Sequence, residues 1–150
     1  MKIIYYSQSD DFIAKLVACF YLKKSNINLS IEKVIEVSFI KQVFERGISS
    51  KGLIFLGKDK YNHDVLALDC QKQGEIIKRM LYGVKRVFQL EEKILFINTD
   101  KCINKSIKIG RFLSDIGLNS IGCFFIKRGI EKSYKDIIKL LNYTTKKVDS

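Results

Sequence analysis

Cys102 lies in the stretch "NTDKCIN" (98–104), where an apolar run gives way to polar residues that are typical of a helix start. A thiol in the first turn of a helix can have a lowered pKa and act as a nucleophile. In this interpretation the protein is a hydrolase or transferase that acts on a phosphorylated or acyl substrate, with Asp100 or Lys127 assisting Cys102. The alternative is structural: one of the three polar residues at the start of the stretch caps the helix, and Cys102 fills a gap in the core.

The same stretch also supplies candidate ligand-binding groups. Its side-chain amides, hydroxyl and carboxylate are Asn98, Thr99, Asp100 and Asn104. They follow a predicted strand, and ligands in open α/β sheets bind beyond the carboxyl ends of the strands.

The turn "SQSDD" (7–11) follows the first predicted strand and offers the hydroxyls of Ser7 and Ser9 to a ligand. A phosphate cradle needs glycines there, so that backbone N–H groups can approach the anion, and this turn has none. Ser7 followed by Asp10 matches a capping box, and Asp10 and Asp11 complement the positive end of a helix dipole while repelling a phosphate. Capping is therefore the favoured interpretation. A metal held by Asp10 and Asp11 is the rival, but adjacent carboxylates rarely bind one ion without further ligands.

A third polar stretch, "KRGIEKSY" (127–134), follows an apolar run near the end of the chain. Lys127 and Lys132 could neutralise an anionic ligand, or they could simply be solvated. Gly129 permits an unusual backbone angle. We include all three residues among the candidate ligand-binding residues.

The single histidine, His63, stands between Asn62 and Asp64 in a predicted turn, which favours a structural role over catalysis. The four cysteines are far apart and form no C-x-x-C pair, so we expect reduced thiols and no zinc site; they are Cys19, Cys70, Cys102 and Cys123. No cofactor is indicated.

The formal net charge of +11 would suit a nucleic-acid partner. Lysine-rich, proline-free composition also fits an AT-rich coding bias, and the basic face of the helix predicted over 74–90 offers only Tyr82 as an exposed aromatic residue. Nucleic acid is therefore possible but not favoured. No stretch approaches the roughly 20 apolar residues of a membrane span, and the first residues lack a signal-peptide core, so we expect a cytoplasmic protein with no membrane partner.

Hydrophobic periodicity predicts the elements that position these stretches. They are a strand over 2–6, a helix over 10–23, a helix over 30–46, a hairpin of strands 53–57 and 64–70, a helix over 74–90, a strand over 93–100, a helix ending near 116, a last strand over 120–129 and a last helix over 131–142. Residues 30–46 are ambiguous: the helix is favoured, with a break near Ser38 as one possibility, and "VIEVSFI" is also compatible with an extended segment.

This alternation predicts one α/β domain over residues 1–150 with a tail that frays from about 143. The fold is three-layered, with a mixed and mostly parallel sheet of about five strands, one β-hairpin, and helices on both faces. If the strands are parallel, the three polar stretches share one edge of the sheet.

The chain also resembles a small bacterial family of about this length, seen in spore-forming anaerobes and known only as a domain of unknown function. The resemblance rests on "KIIYY", "GLIFLGKDKYNHDVLALD", "ILFINTDKCINKSIKIGRFLS" and "SIGCFFIKRGIEKSYKDIIKL", and is most specific in "KIGRFLS" and "GIEKSY". It implies the α/β fold but no reaction. The family usually carries glycines, a histidine and serines in the first turn, so "SQSDD" is a departure.

Three functions follow from these observations. The first is a non-catalytic or degenerate domain that binds a small anionic ligand or a protein partner at the carboxyl edge of the sheet. The second is an enzyme that uses Cys102. The third is nucleic-acid binding through the basic helix face. The sequence does not specify an oligomeric state.

Overall fold

The computed structural model describes residues 1–27 and 52–150 of the chain, without the side chains of residues 11, 26 and 27. The helix predicted over 30–46 lies outside the described residues. The described part is a mixed α/β fold with a four-stranded open sheet and five α-helices.

The sheet is built from four strands in the order β2-β3-β1-β4. β1 pairs in parallel with both β3 and β4, and β2 pairs antiparallel with β3. The predicted hairpin is therefore confirmed as β2 and β3. The strands are β1 (Lys2–Ser7), β2 (Leu53–Lys58), β3 (Asp64–Asp69) and β4 (Ile94–Asn98).

The helices cover both faces of the sheet, in three layers. They are α1 (Asp11–Ile27), α2 (Gly74–Val87), α3 (Lys105–Asp115), α4 (Asn119–Lys132) and α5 (Tyr134–Val148), with a single 3-10 turn over Asp100–Cys102. Because successive strand residues point to opposite faces, β1 contributes Ile3 and Tyr5 to one core and Ile4 and Tyr6 to the other. α1, α3, α4 and α5 pack on the first face, and α2 packs on the second through partly buried Ile77 and Leu81.

The prediction of a last strand over 120–129 is wrong, because this segment is helical and forms α4. Its apolar run has the β-branched and aromatic composition of a buried strand. The residues that it buries nevertheless repeat at helical spacing, and they pack against α3: Gly122, Cys123, Ile126, Gly129 and Ile130. The described sheet therefore has four strands where about five were expected, and two of its three pairings are parallel.

The end of the chain also differs from expectation. A frayed tail was predicted from about residue 143, whereas α5 continues to Val148. Thr144 is fully buried and accepts a hydrogen bond from the Tyr5 hydroxyl at 3.2 Å. This contact joins the last helix to the central strand.

Candidate functional site

The turns after β1 and β4 lie at the same edge of the sheet, as the sequence predicted, because the two strands are parallel. The Ser7 hydroxyl donates to Asp100 Oδ1 at 2.7 Å. The third predicted turn does not lie there as the end of a strand, because residues 120–129 are helical. The turn between β3 and α2 also lies at this edge, and the sequence analysis did not identify it as a site.

Asp100 occupies the backbone amides of the first turn. Its Oδ1 accepts from the N–H of Gln8 at 2.9 Å and from that of Ser9 at 3.3 Å, in addition to the Ser7 hydroxyl. Two of the N–H groups that a phosphate cradle would use are thus already bonded to an internal carboxylate.

The capping box predicted from Ser7 and Asp10 is half present. Ser7 Oγ accepts from the Asp10 N–H at 3.0 Å. The Asp10 carboxylate, however, accepts from the Phe12 N–H at 2.9 Å and so caps α1 itself. Ser7 is completely buried, so its role here is to hold the turn.

A groove of about 380 Å³ lies between the β1–α1 turn and the β3–α2 turn, with α3 as a further wall. We call it the switch-point groove; its lining residues are Gln8, Ser9, Asp10, Gln71, Lys72, Arg111 and Asp115. α1, which follows β1, packs on one face of the sheet, and α2, which follows the adjacent parallel strand β3, packs on the other. Divergence of this kind opens a crevice at the carboxyl edge, which is where ligands bind in open α/β sheets.

An ion pair forms part of this groove. Arg111 Nε lies 3.3 Å from Asp10 Oδ1, and Arg111 Nη1 lies 4.0 Å from Asp115 Oδ1. The guanidinium also lies 5.0 Å from the centre of the Phe12 ring, within the range of a cation–π contact. Burial raises the pKa of the Asp10 carboxyl, although the charge of Arg111 opposes the shift.

The β3–α2 turn carries backbone strain. Gln71 and Lys72 have φ angles of 43° and 70°, in the left-handed region, and the Gln73 N–H donates to the Cys70 carbonyl at 2.7 Å. A turn with two positive φ angles strongly prefers glycine or asparagine. Strained residues cluster at binding sites, and here both of them line the groove.

Cys102 is 1% exposed, and burial raises the pKa of its thiol to about 12, with the charge of Asp136 adding to the shift. This direction is opposite to the shift that a nucleophile requires. His63 is the last residue of the β2–β3 hairpin loop, next to Asp64, whose partner in β1 is Lys2. It is therefore at the amino edge of the parallel strands, opposite the carboxyl-edge turns that contain Cys102.

The remaining polar residues of "NTDKCIN" hold the local structure. The Asn98 side chain accepts from the Asp100 N–H at 2.7 Å, and the buried Thr99 hydroxyl donates to the Tyr6 carbonyl at 3.1 Å. Asn104 caps α3 and donates to the Gly129 carbonyl at 2.6 Å.

Lys127, Gly129 and Lys132 all belong to α4, and none of them lines the switch-point groove. Gly129 is buried where α4 crosses α3, so a Cβ there would come within 2.5 Å of Ile107. Lys132 Nζ lies 3.4 Å from the Ser106 hydroxyl. Of the predicted ligand-binding residues, Ser9 alone lines the groove.

His63 belongs to a hydrogen-bonded loop at the hairpin. Asp59 Oδ1 accepts from the N–H groups of Tyr61 and His63, both at 2.9 Å, and its Oδ2 lies 3.2 Å from His63 Nδ1 and 3.0 Å from the Tyr21 hydroxyl. These bonds lower the pKa of Asp59 even though burial alone would raise it.

In residues 1–27 and 52–150, no group of three or more His, Cys, Asp or Glu side chains is arranged to hold a metal ion. In the same ranges, no helix combines the length and the apolar character needed to cross a bilayer.

Comparison with protein families identifies the family to which the chain is similar. The model of the family described as "Protein of unknown function (DUF3189)" matches residues 2–146, nearly the whole chain. Comparisons with curated proteins and with solved structures give no match. The match confirms the resemblance to a domain of unknown function.

Proposed function

The chain belongs to this family of unknown function, and we propose that it is a non-catalytic α/β domain that binds a small ligand with an anionic group in the switch-point groove. The observation that carries the proposal is the position of the groove between two adjacent parallel strands whose helices leave on opposite faces. Its volume of about 380 Å³ is in the lower part of the range for ligand sites.

Two cations from different segments would receive the anionic group. Lys72 projects from the β3–α2 turn, and Arg111 comes from α3. The hydroxyl of Ser9 and the side-chain amides of Gln8 and Gln71 supply further hydrogen bonds. Strain at residues 71 and 72 supports the proposal, because a sequence under no functional constraint would gain stability from glycine there.

Binding is favoured over catalysis by what surrounds the two candidate catalytic residues. The Cys102 thiol is buried with a raised pKa, and the single histidine of the chain lies at the opposite edge of the sheet. A cysteine nucleophile is activated by a neighbouring base or by a lowered pKa. The only imidazole of the chain is remote from Cys102, and the pKa of this thiol is raised.

Thermal-shift measurements on the full chain at low salt test the proposal. The panel contains inorganic phosphate, mononucleotides, phosphorylated sugars, small carboxylates and the twenty α-amino acids. A ligand at about 100 times its Kd adds about 2.7 kcal/mol, which raises the midpoint by roughly 5–10 °C for this size. Silence from every small molecule would contradict the proposal and favour a protein partner at the same edge.

Two variants locate the site. Lys72→Gln should weaken binding, whereas Lys127→Gln combined with Lys132→Gln should leave it unchanged, because both of those lysines lie on α4 outside the groove. Loss of binding in the double variant alone would move the site to α4. Lys139→Gln on α5 is a matched control for removing an exposed lysine.

A depression beside α2 favours nucleic-acid binding as a second candidate function. Arg79, Tyr82, Lys85 and Arg86 line this space of about 660 Å³. Cations beside an exposed aromatic ring suit a single-stranded nucleic acid. Affinity should then fall steeply with salt, and no binding of short DNA or RNA at low salt would exclude the function.

A further inference from the structure

The charges of the switch-point groove are balanced. Of its lining residues, Lys72 and Arg111 are cations, and Asp10 and Asp115 are carboxylates. A ligand with negative charge alone would meet two carboxylates together with the two cations. Coulomb repulsion from Asp10 and Asp115 would oppose much of the attraction from the cations.

The four charged side chains differ in their exposure to solvent. The side chains of Asp10 and Arg111 are 12% and 28% exposed and lie 3.3 Å apart, so they largely neutralise each other. The Asp115 side chain is 67% exposed and lies at the longer distance of 4.0 Å from Arg111. Lys72 is exposed as well, and within the described residues it makes no ion pair. The two most accessible charges are therefore of opposite sign and come from different segments, the β3–α2 turn and the end of α3.

We propose that the ligand is a small zwitterion, an α-amino acid or a similar amino-carboxylate, whose anionic group binds Lys72 and whose ammonium group binds Asp115. This inference rests on the proposed function and names its ligand class. Gln8, Gln71 and Ser9 each offer both donors and acceptors, so they can bond either end of such a molecule. A ligand of this kind satisfies both accessible charges, whereas a simple anion satisfies one and is repelled by the other.

Matched probes distinguish the ligand classes. Titration calorimetry on the full chain at low salt would use the twenty α-amino acids, and for each one that binds, the corresponding 2-hydroxy acid without the amine and the amine without the carboxylate. We expect the amino acid to bind about tenfold more tightly than either analogue, because each analogue lacks one charge-assisted hydrogen bond.

Two substitutions should change the affinity for the 2-hydroxy acid in opposite directions. Asp115→Asn should weaken amino-acid binding and strengthen binding of the 2-hydroxy acid, whereas Lys72→Gln should weaken both. Glu131→Gln on α4, an exposed carboxylate outside the groove, should change neither. Because all three substitutions are on the surface, the thermal midpoints without ligand should be unaltered, which would show that the variants fold.

The outcomes separate this inference from the proposed function. If phosphate or a hydroxy acid binds as tightly as any amino acid, or if Asp115→Asn leaves the preference unchanged, the zwitterion is excluded while the anion site stands. If neither the amino acids nor the simple anions bind, both proposals fail. An amino acid that binds with the expected response to both substitutions supports both.

Discussion

Lys72→Gly should stabilise the protein, although glycine usually destabilises. Lys72 has a φ of 70° in the β3–α2 turn, where a side chain costs about 1–2 kcal/mol relative to glycine. Glycine loses more entropy on folding, which offsets about 0.5–1 kcal/mol of that gain. The net stabilisation is therefore about 0.5–1 kcal/mol, or roughly 2 °C in the thermal midpoint for a chain of this length.

The assay compares three variants by thermal and urea unfolding. Lys139→Gly makes the same substitution on the exposed side of α5, where it should cost about 1 kcal/mol and lower the midpoint by roughly 3 °C. Lys72→Gln keeps the Cβ and should show no gain. A midpoint for Lys72→Gly at or below that of the unsubstituted protein would refute the argument that this turn is strained.

Three further predictions concern stability and reactivity. Gly129→Ala should lower the free energy of unfolding by about 2–3 kcal/mol in urea, because the added Cβ would come within 2.5 Å of Ile107. Gly83→Ala on α2 is the control: its added Cβ has nothing within 4 Å, so the substitution should stabilise the protein by about 1 kcal/mol. Equal effects of the two substitutions would contradict the close α3–α4 packing. The Cys102 thiol should not react with iodoacetamide in the native protein at pH 8.5, because burial raises its pKa to about 12. It should react once the protein is unfolded, and mass spectrometry measures both reactions. Rapid labelling of the native protein would restore the hypothesis that Cys102 is a nucleophile. Asp59→Asn should cost about 2 kcal/mol at pH 7, because it removes the charge from a buried acceptor of hydrogen bonds from Tyr21, Tyr61 and His63. Since these bonds lower the pKa of the carboxyl, their contribution is present above its ordinary value of 3.8 and is lost as pH falls through the lowered pKa. A deficit that persists unchanged in acid would show that the loss is not electrostatic.

The elements with a single strong periodic signal were predictable. In α1, the apolar stripe of Phe12, Leu16 and Phe20 is buried as its spacing indicated. The hairpin was predictable because two apolar runs flank a polar loop. α4 was not, because "CFFI" has the composition of a strand, although the residues that the segment buries repeat at helical spacing and pack closely on α3 at Gly122 and Gly129. Those contacts are between residues that are distant in sequence, so no local pattern encodes them.

The sequence predicted that the candidate site lies at the carboxyl edge of the sheet, but it did not predict where along that edge. The sequence places polar turns after β1 and β4, and the structure joins them through Ser7 and Asp100. The groove lies on the other side of β1, beside β3, because the helices diverge there. Strand order is a tertiary property, and the turn at Gln71 and Lys72 lacks the glycine or asparagine that would have indicated its conformation.

The bonds between Asp100 and the first turn explain why the proposed recognition in this groove relies on side chains. Glycine-rich turns bind phosphate through backbone N–H groups, which carry no negative charge of their own. Here the N–H groups of Gln8 and Ser9 are bonded to the Asp100 carboxylate, so the proposed ligand would instead be held by charged and polar side chains from three separated segments. Side chains can offer both signs of charge, whereas N–H groups can offer only donors. In the proposed site, a first turn whose N–H groups are bonded to an internal carboxylate suits a ligand that carries an ammonium group as well as an anion, which is the preference that Asp115→Asn and Lys72→Gln test.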